Sequence, residues 1–169
     1  MPLKLPNILI AATIAGGLSL SAQAADASWQ FSEADGESAK TLVFAQDVGG
    51  PSLSLVCSDK LGLQAILYLN GTDAGTATIS SDSRVKSRNI RMSSDTTANK
   101  GDSWAYLRNE KILISTKPWQ GRRLFNSSVK GENITLRISR LGSHTLTLPA
   151  IDTEFKSFAK SCAATRPAS

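Results

Sequence analysis

The chain has 169 residues, which is enough for one domain with its own hydrophobic core. Its 19 Lys and Arg side chains against 14 Asp and Glu give a formal net charge of +5, which favours anionic partners without naming one. The sequence shows neither a dense basic field nor a series of aromatic platforms, so nucleic acid is not expected as a partner.

The first residues have the pattern of a secretory signal peptide. Lys4 supplies positive charge, an apolar run covers residues 8–20, and the A-Q-A of residues 22–24 matches a cleavage site. The run is diluted by glycine and serine and is short for a membrane span, so no transmembrane segment is expected after cleavage. We predict a signal peptide over residues 1–24 and a single β-rich domain over residues 25–169, in the periplasm or secreted.

Alternating apolar and polar residues, the pattern of half-buried strands, dominate the rest of the chain. Leu53, Leu55 and Cys57, for example, share one face of such a segment. The segments are short and separated by clusters of Gly, Asn, Asp and Ser, which is typical of an antiparallel β-sandwich or an open barrel. Strands are predicted at TLVFA (41–45), SLSLVCS (52–58), LGLQAILYL (61–69), TATIS (76–80), SRVKSRN (83–89), SWAYLRN (103–109), KILIST (111–116), NITLRIS (133–139) and HTLTLP (144–149).

The last segment has helical periodicity instead. Asp152 suits the N-cap position and Glu154 suits the positive start of a helix, so we predict an α-helix over about residues 152–164. Cys57 and Cys162 are an isolated pair in a chain predicted to be exported, so they are expected to form one disulfide that staples this helix to a strand. The helix face that would pack on the β core comprises Ile151, Phe155, Phe158, Ala159 and Cys162.

Arg84, Lys86 and Arg88 alternate along one predicted strand and therefore share a face. Cations at alternate positions protect a sheet edge against pairing with further strands. They also suit the binding of an anionic envelope component or an acidic protein patch. Both interpretations stand. Because the apolar positions change parity near Asn89, a β-bulge is predicted there.

Trp119 is the aromatic residue with the most distinctive neighbours. Arg122 and Arg123 follow it in a segment, residues 118–130, whose secondary structure the sequence leaves ambiguous. Trp and Arg together are typical of interface anchors, whereas packing at the edge of the core is the ordinary role of a tryptophan. The candidate residues for an anion- or partner-binding site are therefore Arg84, Lys86, Arg88, Trp119, Arg122 and Arg123.

No residue is predicted to be catalytic. The single histidine, His144, lies beside a predicted hairpin turn at Gly142-Ser143 and has no evident nucleophile or orienting acid, so an exposed turn position is expected. One His and two paired Cys are too few ligands for a zinc or copper centre, and neither a metal nor a cofactor is expected. The sequence also lacks the phosphate-binding loop, the dinucleotide fingerprint and the EF-hand loop.

The order of these features is familiar. A signal peptide leads to Trp29 and LSLVC, a middle strand carries basic residues, Trp104 lies beyond, and ITLRIS is followed by TLTLPAIDTEFKSFAKSCA. This arrangement resembles small exported β-domain proteins of Gram-negative bacteria, including accessory proteins of type VI secretion. It is similar, more loosely, to the invasion-associated locus B proteins. The resemblance implies a periplasmic β-sandwich with an interaction or envelope-associated role, and it implies no catalytic residues.

The expected function is that of an exported, non-enzymatic interaction module with an envelope-, secretion- or virulence-associated role. Its expected partner is a protein or an anionic component of the envelope. Two alternatives stay open. One is a hydrolase of envelope material whose site converges only in the fold, and the other is a β-barrel that carries a small ligand or lipid against the LGLQAILYL face.

Overall fold

A computed structural model describes residues 28–33, 39–45, 50–59, 61–69, 84–96 and 100–164. The predicted signal peptide (1–24) and the predicted strand at 76–80 lie outside the described residues. The elements are β1 Trp29–Glu33, β2 Ala39–Phe44, β3 Ser52–Ser58, β4 Gly62–Tyr68, β5 Val85–Ser94, β6 Lys100–Leu107, β7 Ile112–Ile114, α1 Pro118–Lys130, β8 Ile134–Ile138, β9 Gly142–Leu146 and α2 Thr153–Ala164.

The strands form one antiparallel sheet in the order β1-β2-β3-β4-β7-β6-β5-β8-β9. The predicted mainly β class and the C-terminal helix are therefore confirmed. Short connections join most neighbouring strands, whereas the step from β7 to β8 contains α1. β1 is not among the predicted strands, because its alternation of apolar and polar residues covers only Trp29 to Phe31, too short a run to identify a strand.

The core lies on one face of the sheet, where alternate side chains of the strands point. Leu53 and Leu55 of β3 are fully buried there, and each such burial contributes about 1.5–3 kcal/mol. Both helices pack on this inner face, and Phe125 of α1 stacks on Phe155 of α2 with ring centroids 5.0 Å apart. The opposite, outer face carries a smaller apolar cluster centred on Tyr68, Leu107 and Ile112.

Two carboxylates at the N-terminus of α2 attach this helix to the edge strand β1. Asp152 is the N-cap, as predicted, because its Oδ1 accepts the backbone N–H of Phe155 at 2.8 Å. Its Oδ2 accepts the N–H of Trp29 at 3.2 Å. Glu154 accepts the N–H of Phe31 at 3.3 Å. Two donors of the open edge of β1 are thereby satisfied by side chains of the helix.

A disulfide joins Cys57 of β3 to Cys162 of α2, with the two Cα atoms 5.6 Å apart. This pairing confirms the prediction. The ammonium of Lys40 donates to the carbonyl oxygen of Ser161 at 3.3 Å and reinforces the same junction. Disulfides persist in oxidising compartments, so the pairing fits a location outside the cytoplasm. Among the described residues, no helix is long and apolar enough to cross a membrane.

The short strand β7 leaves a gap in the sheet that α1 fills. β7 pairs only with Ile66–Tyr68 of β4 and with Ala105–Leu107 of β6, so it does not reach the first halves of those two strands. α1 lies across this gap. The side chain of Gln120 donates to the carbonyl oxygen of Ser103 on β6 at 3.0 Å, and Gly121 lies against the backbone of β4. The helix therefore bridges two parts of the sheet.

Local signals set both ends of α1, the segment that the sequence left ambiguous. Pro118 occupies the first turn, where its missing N–H costs nothing. The Oε1 of Gln120 accepts the backbone N–H groups of Thr116 and Lys117 at 2.7 and 2.9 Å. Gly131, with φ 66°, ends the helix in the left-handed conformation that glycine adopts without strain.

Candidate functional site

One side of α1 carries a Trp and three cations at helical spacing. The cations lie three, four and eleven positions after the Trp, and an Asn and a Ser lie seven and eight positions after it, which places all six side chains along one stripe of a helix. Together they surround an open surface pocket of about 410 Å³, which we name the α1 pocket. Its lining residues are Trp119, Arg122, Arg123, Asn126, Ser127 and Lys130.

The two arginines of the α1 pocket differ in their environment. Arg123 is half-buried, and its Nη2 donates to the carbonyl oxygen of Met92 on β5 at 2.8 Å. Burial lowers the pKa of Arg123, and the carboxylate of Asp102 partly offsets that effect. Arg122 is exposed and forms no ion pair with any other residue that the structure describes. Arg123 therefore anchors the helix, while Arg122 is available to a partner.

Lys130, at the far end of the α1 pocket, forms an ion pair with a carboxylate outside the pocket lining. The Nζ of Lys130 lies 3.7 Å from the Oε1 of Glu132, a residue that is only 4% exposed. The side-chain hydroxyls of Ser94 and Thr96 lower the pKa of Glu132, with burial acting in the opposite sense. Of the two, Thr96 donates a hydrogen bond to Oε1 of Glu132. Glu132 is thus ionised at neutral pH and partly neutralises Lys130. The charge of Arg122, in contrast, has no ion-pair partner among the residues that the structure describes.

The three cations predicted on one strand lie at the start of β5. Arg84 directly precedes the strand, and Lys86 and Arg88 belong to its first half. β5 pairs with β6 along this half, but its pairing with β8 begins only at Ile90. Within the described residues, the first half of β5 therefore has a strand on one side only. Lys and Arg in such a position protect an edge.

Arg88 is engaged with its own chain. Its guanidinium carbon lies 5.4 Å from the centre of the Tyr106 ring on β6, which is the distance of a cation–π contact. Its Nη1 donates to the carbonyl oxygen of Ser87 at 3.2 Å. The side chain is half-buried, in contrast to the exposed Lys86. Arg88 is thus held against the sheet surface.

The structure separates the two groups of candidate residues. Trp119, Arg122 and Arg123 meet in the α1 pocket, and none of the three β5 cations lines it. Arg123 contacts β5 at Met92, which is four residues beyond Arg88, or about 13 Å along a strand. The candidates therefore form two distinct cationic regions, one on a helix and one at a sheet edge.

The β-bulge predicted at Asn89 is wrong. The register of β5 against β6 runs without interruption past this residue. Ile90 and Met92 lie on the same face as Lys86 and belong to the buried core. The character of this face changes where the pairing with β8 begins at Ile90. Its cations lie on the half of β5 that pairs with β6 alone among the described strands, and its apolar residues lie on the half that pairs with both β6 and β8.

The surroundings of His144 also differ from the prediction. The β8–β9 turn lies at residues 139–141, and Gly142 and Ser143 already belong to β9. His144 is a half-buried residue of that strand, and its Nε2 lies 3.3 Å from the carbonyl oxygen of Leu141. Both Arg140, with φ 67°, and Gly142, with φ 92°, have positive φ at this turn. No group of three His, Cys, Asp or Glu side chains among the described residues could hold a metal ion.

Three lining residues of the α1 pocket were missed from the sequence, namely Asn126, Ser127 and Lys130. Each is common on any protein surface. The signal that could have identified them is their helical spacing from Trp119, which becomes visible once Pro118 is taken as the start of a helix.

Comparison with protein-family models, curated proteins and solved structures finds no match for this chain. Its function is therefore inferred from the geometry and charge of the surfaces described above. The α1 pocket combines a half-buried Trp with an exposed Arg that no described residue pairs with, and the edge of β5 carries exposed cations. Both arrangements suit noncovalent recognition of anions.

Proposed function

We propose that the protein is an exported, non-enzymatic interaction module of the envelope of a Gram-negative bacterium, with a periplasmic location and a secretion- or virulence-associated role. It engages an acidic partner, either a protein or an anionic envelope component, through the α1 pocket. The observation that carries this proposal is the placement of Trp119, Arg122 and Arg123 around one open pocket.

The α1 pocket is built on a helix that is rigidly seated. Gln120 and Gly121 fix α1 against β6 and β4, and Arg123 ties it to β5. A preorganised surface loses little conformational entropy on binding, so more of the contact energy appears as affinity. Trp119 offers a large apolar ring, and Arg122 offers a forked cation that matches a carboxylate or a phosphate.

Export is supported by two independent features. The first 24 residues have the charge, apolar run and cleavage pattern of a secretory signal, and the domain contains the Cys57–Cys162 disulfide. These features support a periplasmic location for the proposed interaction.

The geometry favours binding at the surface over the two alternatives. Neither the α1 pocket nor a second pocket between β5 and β8 is lined by an Asp or Glu that could act in hydrolysis. The β4 side chains that would face a barrel cavity, Leu63, Ala65 and Leu67, pack into the core instead.

Site-specific photocrosslinking in the periplasm of the producing bacterium tests the proposal. A benzoylphenylalanine replaces Asn126, which lines the α1 pocket, and Asn109, an exposed residue of the β6–β7 turn, serves as the matched control position. We expect an adduct with an acidic partner at the first position only. The adduct should disappear in W119A and R122E and persist in R108E, a charge reversal outside the pocket. Equal adducts at both positions, or adducts that survive W119A and R122E, would contradict the proposal.

A further inference from the structure

A second pocket, of about 390 Å³, lies on the outer face of the sheet between β5 and β8. Its lining residues are Asn89, Arg91, Arg137, Ile138 and Ser139. Arg91 and Arg137 are exposed, whereas their neighbours along the strands, Met92 and Leu136, are buried in the core on the other face. This site is therefore separated by the sheet from the face that carries α1.

The two arginines stand directly opposite each other in the antiparallel pairing of β5 and β8. Opposed residues of such strands have Cβ atoms about 4.5–5.5 Å apart, and like charges in this position destabilise the pair. Within the part of the chain that the structure describes, neither Arg91 nor Arg137 has an ion pair or a side-chain hydrogen bond. The repulsion therefore has no counter-ion among the described residues.

The neighbours of the arginines leave room for a ligand. On its other side, Arg91 pairs with Gly101 of β6, and Arg137 likewise pairs with Ser143 of β9. The backbone of Gly101 offers no side chain that could cover Arg91. The other outward positions nearby carry hydroxyl and amide groups, and no Asp or Glu occupies an outward position of β5, β6, β8 or β9. These positions are Asn89, Ser93, Ser103, Thr135 and Thr145.

We propose that Arg91 and Arg137 form a clamp for the phosphoryl group of a soluble, hydroxyl-rich phosphomonoester, such as a sugar phosphate. Two adjacent guanidinium groups present two forks of N–H donors and two positive charges. A phosphomonoester carries about −1.5 to −2 charges at pH 7 and has three terminal oxygens. These oxygens can accept hydrogen bonds from both guanidinium groups. A carboxylate neutralises only one of the two charges.

The surroundings of the pair argue for a hydroxyl-rich carrier rather than a lipid. The hydroxyls and amides of the outer face can bond the hydroxyls of a sugar. The exposed large hydrophobic residue of the same strand, Val85, lies six residues from Arg91, or about 20 Å along the strand. An acyl chain would therefore find no apolar surface beside the clamp on β5.

Titration of the protein with glucose 6-phosphate, inorganic phosphate and glucose tests the clamp, with affinity measured by calorimetry and location by amide NMR shifts. We expect glucose 6-phosphate to bind more tightly than inorganic phosphate, and glucose alone not to bind. R91Q and R137Q should each weaken glucose 6-phosphate binding by about tenfold or more, because one set of charge-assisted hydrogen bonds is lost. R91K should also weaken glucose 6-phosphate binding, because lysine keeps the positive charge but lacks the planar set of guanidinium N–H donors.

The matched control is R108Q, which removes an exposed arginine of the β6–β7 turn and should leave the affinity unchanged. A stability measurement separates ligand binding from a structural role. In the absence of ligand, R91Q should raise the melting temperature by about 1–2 °C because the opposed charge is removed. An arginine that stabilised the fold would give a decrease.

Three outcomes would overturn the proposal. The first is no shift of the amides around Arg91 and Arg137 on addition of glucose 6-phosphate. The second is an unchanged affinity in R91Q and R137Q. The third is binding to phosphatidylcholine vesicles that contain phosphatidic acid, without binding to glucose 6-phosphate, which would assign the phosphoryl group to a membrane lipid.

Discussion

Gly121 is the residue of α1 at which the smallest substitution should have the largest effect. It is buried on the side of the helix that faces β4. A Cβ at this position would lie 2.5 Å from the carbonyl oxygen of Leu63, 2.9 Å from its carbonyl carbon and 3.0 Å from the carbonyl carbon of Gln64. These are backbone atoms of a paired strand, so they cannot turn aside as a flexible side chain would.

The expected cost of G121A follows from these distances. An ordinary close contact between carbon and oxygen is about 3.3 Å or longer, so the new methyl group would overlap Leu63 by roughly 0.8 Å. Overpacking of this kind costs about 1–3 kcal/mol, and a clash with backbone belongs at the upper end. Alanine recovers about 1 kcal/mol of helix propensity relative to glycine. The net loss is therefore about 2 kcal/mol, or a melting temperature about 4–8 °C lower.

Urea unfolding followed by tryptophan fluorescence and far-UV circular dichroism measures this loss. The matched control is N126A, at an exposed position of the same helix, where the propensity gain is not opposed by a contact. N126A should be as stable as wild type or slightly more stable. If G121A matched N126A in stability, α1 would not be seated against Leu63 and would not fill the gap beside β7.

Two further predictions concern covalent and acid-sensitive contacts. C57A/C162A should lose about 4–5 kcal/mol of unfolding free energy, because the disulfide closes a loop with a sequence separation of 105. The loss is measured by urea unfolding, with reduced wild type as the control. A loss below about 1 kcal/mol would contradict this expectation. The hydroxyls of Ser94 and Thr96 lower the pKa of Glu132 in the folded state below its ordinary value of 4.5. The stabilisation by the ionised Glu132 is therefore present above pH 4.5 and is lost as the pH falls through the folded-state value. The melting-temperature difference between wild type and E132Q should therefore be constant between about pH 7 and pH 5 and should shrink under more acidic conditions. A difference that persists unchanged at about pH 3 would contradict a stabilising role for the ionised form of Glu132.

The strand and helix predictions succeeded where periodicity is a local property. The predicted strand at residues 52–58 coincides with β3, because alternate burial along one strand leaves a direct trace in the sequence. The predicted helix over about residues 152–164 corresponds to α2, whose Phe155 and Phe158 mark one buried stripe. In both cases the residues that define the element are neighbours in the chain.

α1 escaped prediction because its buried side is not apolar. Apart from Leu124, the residues buried there are Gln120, Gly121, Ser127 and Ser128. Small residues permit the close approach to β4, and the amide of Gln120 bonds a carbonyl oxygen of β6. Both reasons depend on strands far away in the sequence. A hydrophobic pattern along the segment itself cannot reveal them.

The candidate sites depended on the fold in the same way. The sequence grouped six possible binding residues, and the structure divides them between the α1 pocket and the edge of β5. It also places Arg91 against Arg137, two residues that no local pattern connects.

The sequence by itself determined the β class, the C-terminal helix and the pairing of its two cysteines, because these follow from short-range periodicity and from the presence of two cysteines alone. The tertiary structure decided that α1 fills the gap beside β7 and that arginines of β5 and β8 face each other. The physical reason is that strand register is set by pairing between distant segments, and a shift of one residue between β5 and β8 would turn one of Arg91 and Arg137 to the opposite face of the sheet.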